Sequence, residues 1–109
     1  MGKTDRLTEL EKRILLTLTS IDADAYGIEI REELRKHFRM SVSIGGLYAT
    51  LDRLSEKGFI SSRLGDPLPE RGGRARRYYR VLALGVRAAN EIRTSMARAL
   101  ENLQPAEVR

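Results

Sequence analysis

The segment from Val42 to Ile60, VSIGGLYATLDRLSEKGFI, leaves the rest of the chain little freedom. Ser43 is placed to act as an N-cap, its hydroxyl accepting from an orphan N–H of a first helical turn, and Gly58 stands where a left-handed residue would stop the helix. Leu47, Leu51 and Leu54 follow the i, i+4, i+7 spacing of one narrow apolar stripe. Gly45, Gly46, Ala49, Asp52, Arg53 and Glu56 fall on the other side. The pattern predicts a short helix that buries one edge and shows an unusually bare face.

Two adjacent glycines in a first turn each cost about 1 kcal/mol of helix propensity against alanine. From these residues alone two explanations stand level. A helix end without side chains brings its backbone N–H groups, and the positive end of its dipole, close to a phosphate. Alternatively, the glycines let this helix press tightly on a neighbouring helix.

Before this segment, Thr8 and Glu11 form a capping box, and Leu7, Leu10, Ile14, Leu15 and Leu18 recur at helical spacing, predicting a helix from about Thr8 to Ser20. Asp24 is the expected N-cap of a second helix, about Ala25 to Phe38, with Tyr26, Ile30 and Leu34 on one face and Lys36 and His37 in its electronegative last turn. A short extended piece, Met40 to Val42, leads into the third helix, so the second and third form a helix-turn-helix pair.

After it, Phe59 to Leu64 and Arg76 to Val81 read as two short strands, the second alternating Arg77, Tyr79 and Val81 with Arg76, Tyr78 and Arg80. The insert from Gly65 to Ala75 holds two prolines and three glycines and is expected to be irregular, a hairpin wing with a mobile basic tip. Charge concentrates here. The chain carries a net +5; residues 1–60 are neutral, residues 61–82 carry six arginines against Asp66 and Glu70, and residues 83–109 carry four basic against three acidic groups. Clustering of that kind points to an anionic polymer as partner.

A fourth helix is expected beyond Gly85, with Ala89, Ile92, Met96, Ala99 or Leu100, and Leu103 on one stripe ending before Pro105. About twenty residues span roughly 30 Å, too long for a small winged helix to cover. The small residues Ala88, Ala89, Ala97 and Ala99 allow close approach, so Ala89, Ile92, Met96, Ala99, Leu100 and Leu103 are expected at a homodimer interface, with folding back onto the first helix as the competing arrangement. The expected architecture is mainly α with a small β-hairpin: a winged helix-turn-helix over residues 1–82, then a C-terminal dimerisation helix and short tail over 83–109.

Three groups of residues together resemble the PadR family of transcriptional repressors: Tyr26-Gly27-Ile28-Glu29-Ile30; Val42-Ser43 with Gly45, Leu47-Tyr48, Leu51, Leu54 and Gly58; and Arg76-Arg77-Tyr78-Tyr79-Arg80. The resemblance spans roughly Leu10 to Gly85. It implies a dimeric winged helix-turn-helix with a C-terminal dimerisation helix, repressing from pseudo-palindromic operators until a small effector releases it. Ile44 and Ala49 stand where the family usually has prolines, Gly46 where it has a small hydroxyl residue, and Leu82 where it has a threonine that starts the last helix.

In a helix-turn-helix the second helix enters the major groove with its N-terminal residues nearest the bases. Ser43, Gly45, Gly46, Tyr48, Ala49 and Arg53 are therefore the expected DNA-binding residues of the helix, with Ala49 against a thymine methyl and with DNA shape contributing. Tyr48 is either half-buried against the wing or, as the resemblance implies, reaches the DNA backbone. Arg71, Arg74, Arg76 and Arg77 are expected to enter a minor groove or clamp phosphates. Two-fold symmetry would set the recognition helices about 34 Å apart on an inverted repeat. Leu7, Ile92 and Met96 could line an apolar effector cavity at the dimer interface, although such residues are more often plain core.

Catalysis finds little support. The single histidine, His37, has no acidic partner implied by its spacing, there is no cysteine, and neither glycine pair is followed by the Lys-Ser/Thr of a phosphate loop. No cofactor or metal is expected. A winged helix that docks protein or RNA is the competing reading, and the low aromatic content of 6% argues against single-stranded RNA. The polar start, the lack of cysteine and the absence of a long apolar run lead to the expectation of a cytoplasmic protein with no membrane segment.

Overall fold

A computed structural model describes residues 6–67 and 75–106. The element order is α1 (Glu9–Ser20), β1 (Ala25–Tyr26), α2 (Gly27–Phe38), α3 (Ile44–Glu56), β2 (Ile60–Pro67), β3 (Ala75–Val81) and α4 (Ala83–Asn102). Helices α1 to α3 pack around one core against a three-stranded antiparallel sheet of order β1-β3-β2, and α4 begins on that core and runs beyond it. This is a winged helix-turn-helix with a C-terminal helix. Among the described residues no helix is long and apolar enough to cross a membrane.

The first helix starts as its sequence dictates. The Glu11 N–H donates to Thr8 Oγ1 (3.1 Å) and the Thr8 N–H to Glu11 Oε1 (3.0 Å), which satisfies two groups that a helix end otherwise leaves open. Glu11 is fully buried, and its other oxygen accepts from Lys57 Nζ at 2.7 Å, joining the start of α1 to the C-cap of α3. Burial alone would raise this carboxyl. The Lys57 bond and the two Thr8 bonds outweigh it, so Glu11 titrates below its ordinary 4.5.

The second helix corrects the reading of Asp24. Ala25 and Tyr26 are extended and pair with Tyr79 and Tyr78, so the helix begins at Gly27 with Tyr26 as a cap that makes no side-chain bond. The Asp24 carboxylate instead accepts from Arg63 Nε (3.1 Å) and Arg80 Nε (3.3 Å). A capping residue and an ion-pair partner look alike in sequence, and here two guanidinium groups from the sheet take the carboxylate first. His37 is also corrected: Glu33, one turn earlier, lies 2.8 Å from its Nε2.

The third helix follows its sequence. Ser43 Oγ accepts from the Gly46 N–H at 3.0 Å, and Leu47, Leu51 and Leu54 are fully buried. Gly58 has φ +84°, while its N–H and that of Phe59 bond to Ser55 and Leu54 carbonyls at 3.1 Å, the paired bonds of a Schellman stop. Arg31 Nε donates to the Val42 carbonyl at 2.7 Å and pins the turn between α2 and α3.

The strands run longer than expected. Gly65, Asp66 and Pro67 continue β2, with an irregularity between Leu64 and Pro67, so the insert is not wholly irregular and the sheet has three strands rather than the two of a hairpin. The tip itself, including Arg71 and Arg74 and its expected mobility, lies outside the described residues.

Gly85 admits the last helix: a Cβ there would run into the Phe59 carbonyl and the Val81 side chain. Leu82, at the N-cap, makes no side-chain bond to the helix it starts. Ala88, Ala89 and Ile92 are buried in the chain's own core. Further along, Met96 is 51% exposed, Leu100 72% and Leu103 75%.

Candidate nucleic-acid interface

The leading end of α3 is open. A Cβ built on Gly45 would meet nothing within 4 Å among the described residues, so no described helix requires this glycine. At Gly46 the added atom would press only on Ser43 Oγ and Val42, the residues of the cap itself. Tight packing on another helix therefore does not explain the pair. The uncrowded backbone of the first turn faces outward at Gly45, and with the Gly46 N–H taken by Ser43 it is the N–H groups ahead of Gly46 that can meet an anion or the edge of a base.

Further along, the side chains are held. The Thr50 hydroxyl donates to the Gly46 carbonyl (2.8 Å) and accepts from Arg53 Nη2 (2.9 Å), so a thread along the helix positions an exposed guanidinium. Ala49 and Asp52 are exposed beside it.

Tyr48 is half-buried and lies against the start of α2. A Cβ on Gly27 would collide with the hydroxyl end of its ring, so Gly27 leaves the space in which Tyr48 rests. The sequence showed Tyr26-Gly27 only as part of a familiar pattern. Its steric function appears once α2 and α3 are brought together. A groove of about 400 Å³ runs here, bordered by Gly27, Tyr48, Asp52, Leu64, Arg76, Arg77 and Tyr79. It joins α3 to the wing.

The two described wing arginines of the candidate set point to opposite faces of β3, as adjacent strand residues must. Arg77 shares the face of buried Tyr79, toward the helices, and its Nη1 donates to Ser62 at 3.0 Å. Arg76 lies on the outer face, its guanidinium 4.3 Å from the centre of the Tyr26 ring. The same face carries Tyr78 edge-on to Tyr26, with Arg63 stacked 4.9 Å over Tyr78. Sequence reading did not find this ladder, because it depends on β1 pairing with β3.

Electrostatics follow from the same contacts. The hydrogen bond from Arg80, and after it the one from Arg63, hold the Asp24 carboxyl below its ordinary 3.8 although partial desolvation opposes them. Asp24 thereby ties two arginines at the root of the wing. Burial, then the neighbouring Tyr48 and Asp52, push the Tyr79 hydroxyl up to about 12. Its oxygen and Arg76 Nε are buried without a hydrogen-bond partner among the described residues.

The dimer candidates divide. Ala89 and Ile92 have intrachain neighbours, whereas Met96, Ala99, Leu100 and Leu103 are exposed. Ile92 and Met96 also border an open groove of about 850 Å³ between α1, Phe38 and α4. Leu7, the third residue considered for an effector cavity, is buried in the core and does not border that groove.

Among curated proteins none matches this chain. Solved structures do. A PadR-like transcription factor from Bacteroides fragilis is 29% identical, with a TM-score of 0.71 over 86% of this chain and 85% of that one. A PadR-like transcriptional regulator from Bacillus cereus is 28% identical, with a TM-score of 0.70 over 90% and 93%. Bacillus subtilis PadR, solved in complex with operator DNA, shares the fold at 15% identity and a TM-score of 0.66, covering 94% of this chain and 52% of its own. The family model of the PadR-like transcriptional regulators matches residues 14–91, which takes in α2, α3 and the whole sheet, and the chain belongs to that family of DNA-binding regulators.

Proposed function

We propose that this protein is a homodimeric, sequence-specific repressor that binds an inverted-repeat operator and is released by a small effector. The observation that carries the reading is the open first turn of α3, where among the described residues nothing stands within 4 Å of a Cβ placed on Gly45. In this reading α3 enters the major groove by its N-terminus. Ser43, Gly45, Gly46, Tyr48, Ala49 and Arg53 face the DNA, and Arg71, Arg74, Arg76 and Arg77 engage phosphates from the wing. The fold that holds operator DNA in the Bacillus subtilis relative supports this pose.

Residues 83–109 form the dimerisation element, through Met96, Ala99, Leu100 and Leu103 with Ala89 and Ile92 at their base. A partner helix laid along the exposed stripe would cover side chains that water otherwise contacts. An effector that is apolar and small would enter beside Ile92 and Met96, where α1 and α4 already part.

A gel shift of the full-length protein on its own upstream DNA, against RNA of equal length, tests the reading. DNA is retarded and RNA is not, and eight wing arginines per dimer make the affinity fall steeply with salt, by a slope set by on the order of 6 to 8 phosphates. Arg77→Ala lowers that slope by about two per dimer. Equal binding of RNA, or a shallow slope in the unaltered protein, would refute it.

A further inference from the structure

Ile44, the first residue of α3, is 42% exposed, and it is not among the hydrophobic residues packed on the core. The other large aliphatic residues of this helix, Leu47, Leu51 and Leu54, are fully enclosed. Neither helix stability nor packing accounts for the choice, since a β-branched residue is a poorer helix former than alanine. Its polar neighbours have local contacts, although Ser43 and Arg53 stay exposed. Ser43 Oγ accepts the cap bond from Gly46, Arg53 is bonded to Thr50, and Tyr48 rests in the space left by Gly27. Ile44 is the large aliphatic side chain that α3 leaves exposed, next to the bare backbone at Gly45.

Side chains of a helix lean toward its N-terminus, so Ile44 projects ahead of α3 into whatever that end enters. A DNA major groove displays one strongly apolar feature, the C5-methyl group of thymine. Resting on the reading of α3 as the groove-entering helix, we infer that Ile44 selects a thymine methyl group in each operator half-site. Specificity then comes from apolar contact where longer polar side chains would make paired hydrogen bonds.

The test alters the DNA first. Duplexes selected from a random pool by the full-length protein are resynthesised with deoxyuridine replacing each thymidine in turn, which removes the methyl and keeps every hydrogen-bonding group. At one position per half-site affinity falls about fourfold per methyl, and on the order of tenfold when both half-sites are altered. Ile44→Ala, at an exposed position, binds the thymine duplex more weakly by a similar factor and no longer distinguishes it from the uracil duplex, while Ile44→Val keeps part of the discrimination. Equal binding of thymine and uracil duplexes at every position by the unaltered protein, or full discrimination by Ile44→Ala, overturns the inference and leaves DNA binding standing. If no duplex is selected from the pool, sequence-specific binding fails as a whole and the inference fails with it.

Discussion

At the leading end of α3 the exposed surface is bare backbone at Gly45 beside one aliphatic side chain, Ile44, whereas the last turns of α4 and its cap expose Met96, Leu100 and Leu103, all at least half exposed. Neither surface has a partner among the described residues, but their chemistry differs. The first offers N–H donors and close approach, which suit a polar, negatively charged ligand. The second offers aliphatic area whose only gain on binding is release from water, which suits another protein helix. They also differ in anchorage. Helix α3 is fixed from behind by three buried leucines and by the Glu11–Lys57 pair, while the distal part of α4 projects beyond the core that holds Ala88, Ala89 and Ile92. A bare helix end held from behind and an open apolar arm suit different partners.

Charging the arm gives the largest expected effect. Met96→Asp combined with Leu100→Asp leaves the winged helix folded, since neither residue reaches the core, and reduces operator affinity more than 100-fold by removing the second half-site. Sedimentation would show a species near 12.3 kDa in place of one twice that mass. A double variant that stays dimeric would show that the arm is not the apolar interface the comparison makes it.

Loosening the anchor of α3 comes next. Glu11→Ala removes the capping box and strands Lys57, which reaches water in part, so the loss is about 2 kcal/mol. The pH dependence has a definite sign. A carboxyl lowered on folding contributes stability that is present above its unfolded value of 4.5 and disappears as pH falls through the lower folded value. Urea unfolding between pH 3 and pH 7 therefore shows a decline below about pH 4.5 that is shallower in Glu11→Ala. Identical profiles would mean that the pair contributes nothing to holding α3.

The smallest change separates folding from function most sharply. Gly45→Ala adds a methyl into open space and improves helix propensity, so stability rises by about 0.5–1 kcal/mol. Operator affinity falls about tenfold, because the added methyl stands between backbone and DNA. A variant that gains stability and keeps its affinity would remove the bare turn from the interface.

Local signals suffice where neighbours in sequence make the structure. The Thr8–Glu11 box, the Ser43 cap and the Gly58 stop all need partners within five residues, and the leucine stripe of α3 repeats every three or four, so their spacing suffices. Asp24 was misread because its partners, Arg63 and Arg80, lie 39 and 56 residues away. Strand β1, two residues long, has no period to detect and exists only because β3 offers it an edge. The space that Gly27 leaves for Tyr48, and the stacking of Arg76 on Tyr26, likewise arise from packing between distant elements.

The amino-acid sequence by itself determined that this chain forms a winged helix-turn-helix with a bare-faced recognition helix, an arginine-rich hairpin and a long final helix, because capping, periodicity and charge clustering act over a few residues. Tertiary structure alone decided which exposed residues remain free. It put Ala89 and Ile92 into the core and left Met96, Leu100 and Leu103 outside, and it separated Arg76 from Arg77 by the pleat of β3. The physical reason is that burial is a property of neighbours distant in sequence: periodicity marks an apolar stripe, and only the packed fold determines how far along that stripe the chain covers itself.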